Sequence, residues 1–285
     1  MSNVELKKLE EKLSNLKERL SQAEQGFSVD DNSTLSFEDV VCEKHGLYRE
    51  FKREMAGLSG RIFTSYTACP RCLREQIAQT KNEIVASKNK ALEMKISSLK
   101  AHSGVPTRFV NSSFANYQTS EKSAKAKGIC QRYAAVWNER KAVGGGLILC
   151  GKPGTGKNHL ACAIANQIIE QYQDSVLLTT ALRISRKIKS TWAKDAEESE
   201  WEAMQIYCEP DLLIIDEIGV QFGSDAEKII LFEIINNRYE DMKPTILISN
   251  LSQEELSQYV GERIIDRMKE GQGAVVNFDW ESFRK

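Results

Sequence analysis

Residues 144–158 read GGGLILCGKPGTGKN, and no other stretch of the chain limits its fold so strongly. The apolar run Leu147–Cys150 reads as a buried strand, the glycine-rich loop Gly151–Gly156 follows it, and a helix opens at Lys157. Glycines let successive backbone N–H groups curl round a phosphate, and the positive end of the helix points at the same place. The loop fits the pattern G-x-x-x-x-G-K-[ST] except at its last position, where Asn158 stands in place of Ser or Thr. Lys157 is placed to reach the β- and γ-phosphates of a nucleotide. The amide oxygen of Asn158 is a less usual partner for Mg2+ or its water shell than a hydroxyl.

A strand–loop–helix of this kind needs a parallel sheet around it, and the sequence supplies one. Four further apolar runs, Val176–Thr180, Asp211–Asp216, Thr245–Ser249 and Ala274–Phe278, alternate with helical patterns, as in an α/β fold. The third run in chain order ends in Asp216 and Glu217. Asp216 is the candidate Mg2+ ligand, and Glu217 is placed to polarise a water for in-line attack. The run Val176–Thr180 lies between the two motifs, as expected of P-loop ATPases that use a glutamate as base. Asn250 follows the next strand, with an amide that can meet the γ-phosphate or the attacking water. Arg263 and Arg267 lie four apart on one helix face, where they can neutralise transition-state charge in their own or a neighbouring subunit. Taken singly, each is more often a surface ion-pair residue.

The chain has 285 residues, about two domains at roughly 150 residues each. A join is expected at 102–106, where His102-Ser-Gly-Val-Pro106 breaks a helix, giving domains 1–102 and 103–285. Lys plus Arg number 39 against 40 acids, which excludes a protein that coats polyanions with its whole surface. No apolar run approaches the roughly 18–20 residues of a membrane helix, and the N-terminal MSNVELKKLEEKL lacks the apolar stretch of a secretory signal. The odd count of seven cysteines fits poorly with closed disulfides and, with the missing signal, points to a reducing cytoplasm.

The first domain is expected to be mostly helical with one cysteine-rich interruption. Leu6, Leu9, Leu13, Leu16 and Leu20 form a heptad seam, either packed on its own domain or offered to a partner protein. Cys42-Glu-Lys-His45 and Cys69-Pro-Arg-Cys72 are two pairs of ligands three positions apart, the pattern of a structural tetrahedral Zn2+ site. Four protein ligands leave no place for a catalytic water. Cys150 and Cys162 read as core residues.

Arg183, Arg186, Lys187, Lys189 and Lys194, with Trp192 among them, form a basic aromatic segment free of acids. Such a segment suits single-stranded DNA, with charges on phosphates and a ring on a base. The competing reading is a solvated helix paired to the acid-rich residues 195–202.

The motifs GKPGTGKNHLA (151–161), LLIIDEIG (212–219), GERIIDRM (261–268) and FDWESFR (278–284) together resemble the DnaC-type replicative helicase loaders. These are AAA+ ATPases grouped with IstB-like transposition helpers, and the resemblance covers roughly residues 104–285, down to Asn158 and His159. It implies an AAA+ sheet without the C-terminal helical lid, since a single residue follows Arg284. It also implies slow ATP hydrolysis. Nucleotide contacts fall on Gly151, Pro153, Gly154, Thr155, Gly156, Lys157, Asn158 and His159. Asp216 and Glu217 match the Walker B pair, Asn250 sensor I, Arg267 the arginine finger and Arg284 sensor II, with Arg263 a second candidate for either arginine role. The implied cofactors are ATP and Mg2+, beside the Zn2+ of the cysteine segment. The implied partners are a DnaB-type ring helicase, single-stranded DNA and further copies of the chain, with no membrane. An IstB-like transposition helper and a nucleotide-gated adaptor without required turnover are the alternatives. The zinc-like pairs at the N-terminus match loader-like proteins of phages and other bacteria rather than the best-known loader.

Overall fold

A computed structural model describes residues 3–28, 33–56, 61–219 and 225–283. The chain divides into two compact units, residues 1–94 and 95–285, so the division falls inside a helix that runs to His102. Among the described residues no helix is long and apolar enough to cross a membrane.

The first unit opens with helix α1 (Asn3–Gln25). Strands β1 (Ser33–Cys42), β2 (Gly46–Ala56) and β3 (Ile62–Tyr66) follow, and then helix α2 (Pro70–His102). Helices carry most of the unit, but the antiparallel sheet β1-β2-β3 is a feature that the sequence pattern does not announce. Its strands carry charges on both faces and β1 is exposed along most of its length, so the usual apolar–polar alternation is missing. Cys42 pairs with Gly46 across the β1–β2 turn, and Gly46 takes a left-handed φ of 75° to close it.

Part of the leucine seam is packed within this unit. Leu16 and Ala23 are buried against Leu73 and Ile77 of α2, with Leu13 and Leu20 alongside. Ion pairs Glu24–Arg74, Lys12–Glu83 and Glu10–Lys88 flank the contact, and their order shows the two helices to be antiparallel. Of the two readings of the seam, packing on its own domain is the one observed.

The second unit is a doubly covered parallel sheet. Its strands are β4 (Leu147–Gly151), β5 (Val176–Thr180), β6 (Leu212–Ile218), β7 (Thr245–Ser249) and β8 (Ala274–Phe278), in the order β5-β6-β7-β4-β8. All pairings are parallel. Successive residues of β4 feed opposite cores. Leu147 and Leu149 pack with α3 (Glu121–Ala135) and α5 (Lys157–Tyr172). Ile148 and Cys150 pack with α6 (Ala181–Ser190), α7 (Glu200–Cys208), α8 (Asp225–Glu240), α9 (Gln253–Val260) and α10 (Glu262–Lys269). Burial on both faces is why these strands read as continuous apolar runs. In the chain, β5 comes between the two nucleotide motifs; in the sheet, the strand lying between β4 and β6 is β7.

Arg238 on α8 is fully buried and donates to the carbonyls of Tyr207, Pro210 and Pro244 at 3.0, 2.8 and 2.7 Å and to Thr245 Oγ1 at 3.0 Å. It closes the C-terminal end of α7 and the start of β7. Burial lowers its pKa to about 10.

Candidate functional site

The phosphate loop is built from the end of β4. Gly156, in the left-handed region at φ 91°, is the N-cap of α5 and offers no side chain, so the first N–H groups of the helix stay open to an anion. Only glycine fits there, because a Cβ would lie 2.7 Å from the Tyr117 ring. Thr155 Oγ1 donates to Lys152 O at 2.7 Å and braces the loop from within. The Lys157 ammonium curls over the loop and donates to the carbonyls of Gly151 and Lys152 at 2.6 and 2.7 Å.

The carboxylates come from the tip of β6. Asn158 Nδ2 donates to Asp216 Oδ2 at 2.6 Å, and the Glu217 N–H donates to Asp216 Oδ1 at 2.7 Å. Burial pushes the Asp216 carboxyl above its ordinary value, opposed by those two hydrogen bonds and by the Lys157 charge. Glu217 is exposed, with a left-handed φ of 61° that is strained for a non-glycine residue. Ser249 Oγ donates to Ile218 O at 2.6 Å, and Gly151 N donates to Leu251 O at 2.9 Å. These bonds tie the tips of β6, β7 and β4 together and bring Asn250 to the same mouth.

The expected residues Pro153, Gly154, Gly156, Lys157, Asn158 and His159 line one cavity of about 460 Å³ together with Asp216, Glu217 and Asn250. Gly151 and Thr155 stand behind it. A Cβ on Gly151 would meet Phe278 O at 2.4 Å, and Thr155 is fully buried. His159 Nε2 lies 3.0 Å from both Ser113 O and Asn116 Oδ1, so this side chain fastens α5 to the segment before α3.

That segment supplies residues that sequence reasoning missed. Arg108, Phe109, Tyr117 and Gln118 line the cavity, with Phe283 from the far end of the chain. They belong to no spaced motif; the helix break at Pro106 is the one local signal nearby.

Arg263 and Arg267 do not reach this cavity. Arg267 donates to Asn236 Oδ1, and its guanidinium lies 4.9 Å from the Tyr239 ring and 5.6 Å from Phe232. Arg263 lies 5.8 Å from Phe232. Arg284 lies outside the described residues.

The basic segment splits. Arg183, Arg186 and Lys194 are exposed, while Ile184 and Ile188 bury the opposite face of α6. Lys187 is paired with Glu198, and Lys189 with Glu227 at 3.0 Å. Trp192 is 53% exposed and donates its indole N–H to Glu200 at 2.9 Å. Part of the segment is thus paired to acids, and part faces outward.

In the first unit, the donor atoms of Cys42, His45, Cys69 and Cys72 lie within 4.8 Å of one another. His45 Nδ1 lies 3.8, 3.7 and 3.2 Å from the sulfurs of Cys42, Cys69 and Cys72, and Cys42 Sγ is 3.6 Å from Cys72 Sγ. Tetrahedral zinc with ordinary bond lengths needs about 3.8 Å between sulfurs and about 3.5 Å between sulfur and nitrogen, so the donor set fits that ion. The backbone N–H groups of Lys44 and His45 lower the Cys42 thiol to about 6, toward the thiolate a metal requires. Glu75, one turn beyond Cys72 on α2, meets His45 Nε2 at 3.0 Å and also pairs with Lys44. The spacing of the ligands holds no hint of Glu75, which lies 30 positions from His45. The remaining cysteines are core residues: Cys130, Cys150 and Cys162 are fully buried, and Cys208 is nearly so.

Residues 77–285 match the family model described as IstB-like ATP binding protein. The chain belongs to this family. It is 38% identical over 205 residues to the replicative helicase loader DnaC of Buchnera aphidicola subsp. Baizongia pistaciae, spanning 72% of this chain and 81% of that protein. It is 35% identical over 216 residues to the DnaC of Escherichia coli K12, spanning 74% and 86%. The resemblance read from the motifs is therefore borne out, and the family is one of ATP-binding P-loop proteins. Among solved structures, the DnaC helicase loader superposes with a TM-score of 0.54 at 20% identity, over 61% of this chain and all of that one. The AMPPCP-bound DnaA from Aquifex aeolicus gives 0.51 at 21% identity, over 62% and 51%. These two likenesses speak for the AAA+ sheet alone.

Proposed function

We propose that this chain is an ATP-dependent loader that places a ring-shaped replicative helicase on single-stranded DNA. The observation that carries the reading is the cleft itself. A phosphate loop, the Asn158–Asp216 pair, Glu217 and Asn250 meet in one cavity, in a chain whose relatives at 35–38% identity are named replicative helicase loaders.

In this reading the loop N–H groups and Lys157 hold the β- and γ-phosphates, with the Lys157 ammonium exchanging loop carbonyls for phosphate oxygens. Asp216 and the Asn158 amide oxygen would hold Mg2+, which would supply neutralisation of phosphate charge. Glu217 takes the proton of the attacking water, and Asn250 orients that water against the γ-phosphate. Arg267, held by Asn236 and Tyr239 away from its own cavity, completes the site of a neighbouring copy; Arg263 and Arg284 are the further arginine candidates. Hydrolysis is slow and times the release of DNA and helicase. The exposed Arg183 and Arg186 track phosphates of the strand, and Trp192 stacks on a base.

The N-terminal part, taken as residues 1–102, is the docking domain, built on a structural zinc site. Its sheet leaves Phe37, Val41, Leu47 and Phe63 between 58% and 74% exposed on one face, an apolar surface that favours a protein partner. The family description keeps an IstB-like transposition helper as the second reading.

The test is transfer of a replicative helicase onto circular single-stranded DNA by the full chain with ATP. Phe37→Asp with Leu47→Asp should abolish helicase capture, while Lys157→Ala should keep capture and lose ATP-dependent transfer. A chain that ignores the helicase yet stimulates a transposase removes the loader reading. Loading that survives Glu217→Gln unchanged replaces it with a nucleotide-gated adaptor.

A further inference from the structure

The segment FDWESF (278–283) is not exhausted by the strand it ends or by the arginine that follows it. It lies along the phosphate loop. Phe278 O accepts the Lys152 N–H at 2.8 Å, and the Phe283 N–H donates to Gly154 O at 2.9 Å. The Trp280 indole N–H donates to Thr155 O at 3.1 Å, and the Tyr117 hydroxyl donates to that same carbonyl at 3.2 Å. Trp280 and Tyr117 are each 5% exposed, so both bonds are made away from water. The approach requires Gly154, since a Cβ there would meet Ser282 Oγ at 2.0 Å.

Two of these contacts take successive carbonyls of the loop, those of Gly154 and Thr155. In a planar trans peptide the C=O and the following N–H point in opposite directions. A phosphate cradle works only if N–H groups, not carbonyls, face the anion. Holding the two carbonyls against the tail therefore turns the N–H groups of Thr155 and Gly156 away from it. Gly154 and Gly156, at φ 76° and 91°, flank these peptides, and glycine lets a peptide plane turn over at little cost.

We propose that Trp280 and Tyr117, with the Phe283 main chain, are positioning residues that fix the N–H polarity of the phosphate cradle before nucleotide arrives. The proposal rests on the ATP-binding role of the cleft and adds a duty for the terminal motif that is independent of Arg284. Because Trp280 and Tyr117 serve one carbonyl, each contributes a share of its hold.

The test uses the full chain with Trp280→Phe, Tyr117→Phe and the double variant, which keep the rings and remove the donors. Dissociation constants for Mg·ATP and for Mg·tripolyphosphate are measured beside the melting temperature without ligand. Tripolyphosphate has no base, so it reads the cradle alone. Each single change is expected to weaken both ligands about threefold and the double change about tenfold or more, in equal proportion for the two ligands. A double variant that binds tripolyphosphate within twofold of wild type overturns the proposal, whatever its melting temperature. So does a loss confined to ATP, which would place the two residues at the base instead. Failure of the underlying ATP role looks different: wild type itself would not bind Mg·ATP, or Lys157→Ala would bind it equally well.

Discussion

Asn158 Nδ2 donates to Asp216 Oδ2 at 2.6 Å, so the residue after the phosphate-loop lysine is bonded directly to the carboxylate at the tip of β6. The usual Ser or Thr has one oxygen for both tasks, whereas asparagine can divide them between its nitrogen and its oxygen. With its amide nitrogen committed to Asp216, Asn158 retains its oxygen for the metal side of the cleft. Asn158→Ala removes both, and the requirement for Mg2+ in nucleotide binding should rise about tenfold, as for loss of a charged hydrogen bond. A Mg2+ titration of ATP affinity measures it.

The same carboxylate sets a pH dependence. Its native value lies above the ordinary 3.8, with burial as the leading cause, so the folded protein binds the proton more readily than the unfolded chain. The charged form thus weakens the fold at neutral pH, and that penalty fades as pH falls through the native value toward 3.8. Without nucleotide, Asp216→Asn should melt higher than wild type at pH 7, and the gap should close on acidification. A gap of equal size at every pH would mean that the substitution relieves something other than the buried charge.

Glu75 fixes the His45 ring so that Nδ1, not Nε2, meets the three sulfurs. Loss of such an outer partner weakens a metal site by roughly 10–100-fold. Glu75→Gln should lower zinc affinity by that factor in competition with a chromophoric chelator, while one zinc per chain is still bound at saturation.

Arg238 has no counterpart in the motifs, yet it meets the carbonyls of Tyr207, Pro210 and Pro244 within 3.0 Å. Each acceptor left unpaired costs about 1–3 kcal/mol. Arg238→Met should therefore destabilise the second unit by ~3 kcal/mol or more in denaturant unfolding. Arg238→Lys, with three donors instead of five, should recover only part of this.

Arg183 and Arg186 are the outward charges of α6. Replacing both with Ala should weaken single-stranded DNA binding and reduce the slope of log affinity against log salt by about 1.4, roughly 0.7 for each charge lost. Replacing Glu198 and Glu200, which engage Lys187 and Trp192, by Gln should strengthen it.

What the sequence revealed follows from what is local. The strands β4 to β7 are largely buried on both faces, so each stands out as an apolar run, and Lys157, Asp216 and Glu217 follow from glycines and carboxylates at strand ends. The four candidate metal ligands follow from two short spacings. Glu75, Tyr117 and Arg238 act across 30 or more positions or through carbonyls, which leave no spacing to read. Strands β1 and β2 are hard to read because Asp39, Arg49 and Arg53 interrupt the face that carries Phe37, Val41 and Leu47, so the apolar period is broken. The leucine seam is legible as a face, but only the opposite face of α2, with Leu73 and Ile77, says what covers it.

If zinc fills the cluster of Cys42, His45, Cys69 and Cys72, the thiols of this protein can report its loading. Cys130, Cys150, Cys162 and Cys208 lie at 3% exposure or less, and burial lifts the Cys130 and Cys162 thiols to about 12. A thiol-selective reagent should therefore modify none of the seven sulfurs in zinc-loaded protein, Cys42 first after chelation, and all seven in denaturant. Counting labels by mass would report zinc loading in any preparation, without measuring metal at all.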